Sequence, residues 1–246
     1  MNAQYDEIAE QYARTRHSPL RRWVEQPSFL GLAGDVRGLR VLDLACGDGF
    51  YTRALKQAGA TEVVGVDISP AMIALATQNE QASPLGVEYV CADAAALPDL
   101  GRFDRVVAAY LLHYAPDRSV LSAMCSSIAR CLGTGGDFVT LNENPAQSDE
   151  PAGAYARYGF TKSLDGPLAD GATIRYRMLA GRESFGFEAC YYCRETYEAV
   201  LHDAGFGAVQ WHDLVVDRAA ADGVDADYFD AYLAHPPVIG LSCRRR

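Results

Sequence analysis

Residues 40–51 read RVLDLACGDGFY, and the fold turns on this stretch. Val41, Leu42 and Leu44 make a short apolar run of the kind found in a strand buried on both faces. The run stops at Ala45-Cys46-Gly47-Asp48-Gly49. Small residues there let the backbone come close to a ligand, because glycine has no Cβ to hold it away. Residues 52–58 read as a helix. Strand, glycine turn and helix predict the first half of a nucleotide-binding βαβ unit. Asp67 closes the next apolar run, 63–66, at the spacing where a carboxylate accepts hydrogen bonds from ribose hydroxyls.

The glycine pattern separates cofactors. A dinucleotide site wants G-x-G-x-x-G, with backbone amides and a helix N-terminus facing a pyrophosphate. Gly47 and Gly49 are present here, but Thr52 stands at the third glycine position. Asp43 lies just before the turn and Asp48 within it. Two carboxylates repel a diphosphate and suit a ligand carrying an amino group or a sulfonium. On the residues alone, another Rossmann-like domain, NAD-dependent or non-binding, stays open. The pattern Asp43-x-Ala45-x-Gly47-x-Gly49 resembles the first motif of the class I S-adenosylmethionine-dependent methyltransferases, with Ala45 in place of the more common glycine. That resemblance implies a Rossmann-like α/β fold, S-adenosylmethionine as cofactor, and contacts to it from Asp43, Ala45, Cys46, Gly47, Gly49 and Asp67.

The chain has 246 residues, 49% of them apolar, which is ample for the core of one α/β domain spanning 1–246. Its formal charge of −10 argues against a nucleic-acid partner, which needs a basic surface. Arg244 to Arg246 form the only basic run and read as a solvated tail. Seven cysteines show no disulfide-framework spacing. Cys190-x-x-Cys193 has no second pair to make a zinc site, so no metal is expected. The polar start is unlike a signal peptide, and no apolar run is long enough to span a bilayer. A cytoplasmic protein, monomeric or homodimeric, is the expectation.

Residues 2–16 place Ile8 and Tyr12, with Tyr5, at helical spacing. Tyr5-Asp6-x-Ile8-Ala9-x-x-Tyr12 is similar to the N-terminal lid helix of small-molecule methyltransferases. The resemblance implies that Tyr5, Tyr12 and Arg16 close over the cofactor, Arg16 facing its carboxylate. A second helix over 19–29, broken at Pro27, completes a lid within 1–30. Ser69-Pro70 opens a helix as cap and first residue. A third strand, 87–91, ends at Ala92-Asp93-Ala94. In the family, the residue after the ribose-binding acid packs on the adenine and an Asp-Ala step holds its amino group. That points to Ile68, with Met72 nearby, and to Asp93 and Ala94. The phrase FDRVVAAYLLHYAPD, residues 103–117, resembles the family's fourth motif and makes Ala109 and Tyr110 cofactor contacts. His113 and Tyr114 then face the cofactor edge or the substrate. A histidine there can serve as general base, its ordinary pKa lying near neutrality.

A helix over 121–132, ended by a C′ glycine at Gly133, precedes a fifth strand over 137–141. Alternation of strand and helix up to this point predicts a parallel sheet. The pattern then changes. Glycines and prolines punctuate residues 142–181, a long loop. Residues 173–179 and 184–192 alternate like two strands, predicting a β-hairpin insertion, 142–192, that roofs the site. Its aromatics, Tyr176, Phe185, Phe187, Tyr191 and Tyr192, suit stacking on a planar substrate. Helix (195–204), strand (209–216), helix (228–234) and strand (237–243) complete the chain. This closing run resembles the family's seven-stranded, mostly parallel sheet, whose last strand inserts antiparallel.

Methyl transfer from a sulfonium needs positioning more than side-chain chemistry, and neither a nucleophile triad nor metal-ligand spacing appears. The absent metal spacing argues against the magnesium-dependent catechol methylators. The start YDEIAEQYARTRHSPLR, the phrase VLDLACGDGFYTRALK and the end PPVIGLSCRR look like the toxoflavin-pathway N-methyltransferases. That resemblance implies N-methylation of an azapteridine-type heterocycle in secondary metabolism. Methylation of a phenolic oxygen, with His113 or His212 as base, is the alternative.

Overall fold

The computed structural model describes residues 5, 6, 8–147, 151, 153–180, 183–221, 224, 225 and 227–246. Its frame is a seven-stranded sheet built from β1 (Arg40–Leu44), β2 (Glu62–Asp67), β3 (Glu88–Cys91), β4 (Phe103–Ala109), β5 (Leu132–Glu143), β9 (Gln210–His212) and β10 (Val238–Arg244). The order is β3-β2-β1-β4-β5-β10-β9. β10 alone runs antiparallel, between β5 and β9, so the inserted last strand lies where the closing run places it.

Strand periodicity builds two cores. Leu42, Leu44, Val64, Val66, Val106 and Phe138 point to one face of the sheet. Val41, Val63, Val107 and Val139 point to the other. Alternate side chains of a strand face opposite ways, so an apolar run feeds both layers at once. α5 (Arg118–Cys131) and α6 (Arg194–Asp203) cover the first face; α2 (Gln26–Ala33) and α3 (Phe50–Gln57) cover the second. α4 (Pro70–Ala82) starts as expected, Ser69 Oγ accepting from the Met72 amide at 3.2 Å.

Several boundaries differ from the sequence reading. Asp117 caps α5 by accepting from the Val120 amide at 2.9 Å, so the helix begins before residue 121. Leu132 turns directly into extended backbone, and positive φ falls on Gly135 rather than Gly133. β5 therefore starts at Leu132, with no glycine break. Pro27 does not break its helix: a π-helical turn over Arg21–Glu25 runs straight into α2 with Pro27 in the first turn. Pro27 has no N–H to give, and the carbonyl it would meet in a continuous helix, that of Trp23, accepts from the Asp217 amide at 2.8 Å instead. Among the described residues no helix is long and apolar enough to cross a membrane.

The insertion is a three-stranded antiparallel sheet, not a hairpin: β6 (Phe160–Leu164), β7 (Thr173–Ala180) and β8 (Glu183–Cys190). Phe160, Ile174, Tyr176, Phe185 and Ala189 are buried on its inner face. Arg175 pairs with Asp165 and Glu188 on the opposite face. β6 hides in the sequence because its inner face reads Phe160, Lys162, Leu164, and the lysine interrupts the apolar alternation.

Candidate active site

The turn after β1 needs left-handed backbone three times: Ala45 (φ 54), Gly47 (φ 57) and Gly49 (φ 81). Among the described residues Ala45 and Tyr110 (φ 68) are the non-glycine positions with positive φ. Both line the same cavity, of about 700 Å³. Strained backbone gathers where the surrounding structure must hold a ligand-facing loop in one shape. A Cβ on Gly49 would sit 2.7 Å from the Tyr89 ring carbon, so this glycine makes room for a side chain rather than for a ligand.

Asp67 closes β2 at the cavity wall, its Oδ2 accepting from the Gly47 amide at 2.8 Å and its Oδ1 from the Ser69 amide at 2.9 Å. Burial raises its pKa, and these amides act against that rise. Ile68, Met72, Ala92 and Ala94 add an apolar flank beside it. Ala109 and Tyr110, at the end of β4, form the adjoining wall. Tyr5 and Tyr12, from the N-terminal segment, line the cavity as well. The Tyr5 and Tyr114 hydroxyls share a hydrogen bond, and the Tyr5 ring lies 4.9 Å from Tyr12 and 5.8 Å from Phe187. The lid segment thus meets the inserted sheet over the cavity.

His113 and Tyr114 follow β4 and line the cavity, with Phe187 from β8 and Tyr176 from β7. His113 is 2% exposed, with Nδ1 2.9 Å from Asn142 Oδ1. Burial drives its pKa down to about 4 against the Asn142 hydrogen bond, so the ring is neutral at pH 7. This weakens the case for His113 as general base and leaves it a fixed polar group in the wall.

Several of the sequence-named residues stand off the cavity wall. The Asp43 carboxylate is 1% exposed and accepts from Thr52 Oγ1 at 2.7 Å, tying β1 to α3. Burial raises its pKa to about 7; the Thr52 hydrogen bond opposes the rise and nearby Asp67 adds to it. Asp93 accepts from the Ala95 amide at 2.8 Å and caps a 3-10 turn. Gly49 makes room for the Tyr89 side chain. Tyr191 and Tyr192 are corrections to the stacking expectation. Tyr191 donates to the Pro145 carbonyl and Tyr192 to the Ala115 carbonyl, at 2.8 and 2.9 Å, and neither lines the cavity. They follow the last residue of β8 and pin loops behind the site. Cys46 lines a smaller recess beside the turn. The Arg16 side chain lies outside the described residues.

That recess holds what sequence reading missed. Arg21 and Glu25 line it with Tyr12, Cys46, Asp48 and Tyr110. The Arg21 guanidinium lies 4.3 Å from the Tyr12 ring centroid and 3.5 Å from Glu25. Burial opposes its charge, but Tyr12 and Glu25 outweigh that and raise its pKa. The available signal was the i,i+4 spacing of arginine and glutamate in one helix. Among the described residues no group of three His, Cys, Asp or Glu side chains could hold a metal ion. All seven cysteines are free thiols.

Residues 41–136 match a family described as a methyltransferase domain. A ubiquinone biosynthesis O-methyltransferase of Bordetella avium is 34% identical over 133 residues, 52% of this chain and 52% of the relative. The chain thus matches about half the length of that relative. Among solved structures, the CcbJ methyltransferase of Streptomyces caelestis superposes with a TM-score of 0.71 at 20% identity, over 99% of this chain and 98% of the other. The DhpI-SAM-HEP complex gives 0.63 at 21% identity, over 98% and 94%. These likenesses establish the architecture: a Rossmann-like methyltransferase fold with a seven-stranded, mostly parallel sheet and an added antiparallel sheet.

Proposed function

We propose that this chain is an S-adenosylmethionine-dependent methyltransferase acting on a small planar metabolite, a ring nitrogen of an azapteridine-type heterocycle of secondary metabolism. One observation carries the reading. A single cavity of about 700 Å³ joins the Asp67 wall of the nucleotide unit to a chamber of aromatic rings under the inserted sheet. That volume suits a nucleoside cofactor and a flat acceptor side by side.

The residues fit the cofactor. Asp67, buried and fixed by two amides, keeps lone pairs for ribose hydroxyls. Ile68, Met72 and Ala94 offer an apolar bed for a flat base. Arg21, charged and half-buried, suits an amino-acid carboxylate in the recess beside the glycine turn, the role that the family resemblance implies for Arg16. Bound there, S-adenosylmethionine supplies a methyl group activated by its sulfonium. The chain's own residues bind, orient and exclude water. Tyr114, Tyr176 and Phe187 present ring faces to a planar acceptor, and Tyr5 and Tyr12 shut the opening above it.

The test is to incubate the protein with S-adenosylmethionine and a panel of flat N-heterocycles, including demethylated azapteridines, with phenols alongside. Mass spectrometry then reads the products. Methylated azapteridine supports the reading. Methylation of phenols alone would give the chain the oxygen chemistry that the Bordetella relative's name carries.

A further inference from the structure

A recess of about 60 Å³ lies against the main cavity, sharing Tyr12, Tyr110, His113, Tyr114, Tyr176 and Phe187 as a common wall. Its walls are largely aromatic; Arg21 and Glu25 line it as an ion pair at 3.5 Å, and Glu143, the last residue of β5, brings a second carboxylate that leaves the recess net negative. Glu143 is 3% exposed. The Tyr176 hydroxyl donates to its Oε1 at 2.6 Å, and Gln147 Nε2 donates to its Oε2 at 3.1 Å. A carboxylate offers about four lone-pair directions, so this clamp leaves roughly two. Lys162 stands opposite Tyr176 in the β6–β7 register, on the inner face of the inserted sheet. Burial raises the Glu143 pKa; Lys162, then Tyr176 and Gln147, work against the rise.

Packing alone does not account for this group. Apolar residues of similar volume commonly stabilise a core as well as a buried ion pair does, because desolvating both charges costs several kcal/mol each. Here a lysine interrupts the apolar face of β6, and it lowers the cost of a carboxylate in the recess beside the cavity.

We propose that Glu143, held by Tyr176 and Gln147, is the acceptor-selecting group of this site: it receives the N–H edge of a flat heterocycle or amidine and excludes anionic acceptors. The proposal rests on the methyltransferase reading and deepens it, naming the acceptor as an N–H donor.

The experiment is calorimetry on the full chain saturated with S-adenosylhomocysteine, using benzamidine as a flat N–H donor and benzoate as its anionic counterpart. The expected result is benzamidine binding about ten-fold tighter than benzoate. Glu143→Gln removes that preference while S-adenosylhomocysteine affinity stays within about two-fold. Tyr176→Phe, which deletes one arm of the clamp, lowers benzamidine affinity by a smaller factor and decides the matter should the Gln variant fail to fold. Equal affinity for the two probes, or unchanged benzamidine binding in both variants, overturns the proposal and leaves the methyltransferase reading standing. Failure of the wild-type chain to bind S-adenosylhomocysteine overturns both.

Discussion

The Gly47 amide donates to Asp67 Oδ2 at 2.8 Å, joining the glycine turn after β1 to the acidic end of β2. Two motif residues twenty positions apart thus form one rigid unit, and the carboxylate that faces the cavity is oriented by the turn itself. Asp67→Ala removes both this brace and the proposed acceptor for ribose hydroxyls. It is expected to weaken S-adenosylmethionine binding by roughly 1.5–3 kcal/mol, read by calorimetry. An unchanged dissociation constant would refute the assignment.

Gly49 serves the Tyr89 ring, so Gly49→Ala is expected to destabilise the fold by roughly 2–4 kcal/mol, from a left-handed φ of 81 and from the ring contact together. In a Tyr89→Ala background the loss should shrink, because only the backbone strain remains. Urea denaturation of the two singles and the double variant reads the difference. A loss of the same size in both backgrounds would remove the ring contact from the explanation.

Asp43 supplies a pH signature. Its pKa rises from the usual 3.8 to about 7 on folding, so the folded chain holds a proton there that the unfolded chain has released. Stability from this group is present below about pH 4 and is lost as pH rises toward 7. Asp43→Asn keeps an acceptor for Thr52 without the charge. It is expected to raise stability by roughly 2–4 kcal/mol at pH 8 and to change little at pH 4. Equal effects at both pH values would show that the carboxylate is not the source.

His113 is neutral at working pH, and its Nδ1 faces Asn142. The pH–rate profile should therefore carry no imidazole limb between about pH 6 and 8, and His113→Gln should lower turnover by about ten-fold without reshaping that profile. A limb near pH 6.5 that vanishes in the variant would restore the general-base role.

The lid is held by contacts to residues of the cavity wall, Tyr5 to Tyr114 and Phe187. Deleting residues 1–16 should lower turnover more than it lowers the melting temperature. The reverse result would make the segment a support for the fold.

Local backbone grammar carried most of this fold into view. The strand–turn–helix unit, the Ser69 cap and the inserted last strand all declare themselves through short-range chemistry. Arg21, Glu143 and Lys162 stayed hidden because their meaning is tertiary. An i,i+4 pair reads as a solvated face until Tyr12 is seen against it, and a lysine inside β6 reads as a loop residue until its strand partner is Tyr176. Tyr191 and Tyr192 failed for the complementary reason. An aromatic after a strand says nothing of which carbonyl its hydroxyl will find, and theirs are at Pro145 and Ala115.

The most direct measurement of the central claim uses S-adenosylmethionine with a deuterium-labelled methyl group and a demethylated azapteridine, with nuclear magnetic resonance and mass spectrometry locating the label. The account predicts a labelled methyl on a ring nitrogen, with S-adenosylhomocysteine formed in equal amount. A chain that binds the cofactor yet leaves every ring nitrogen unlabelled, while methylating phenol oxygens, would contradict it.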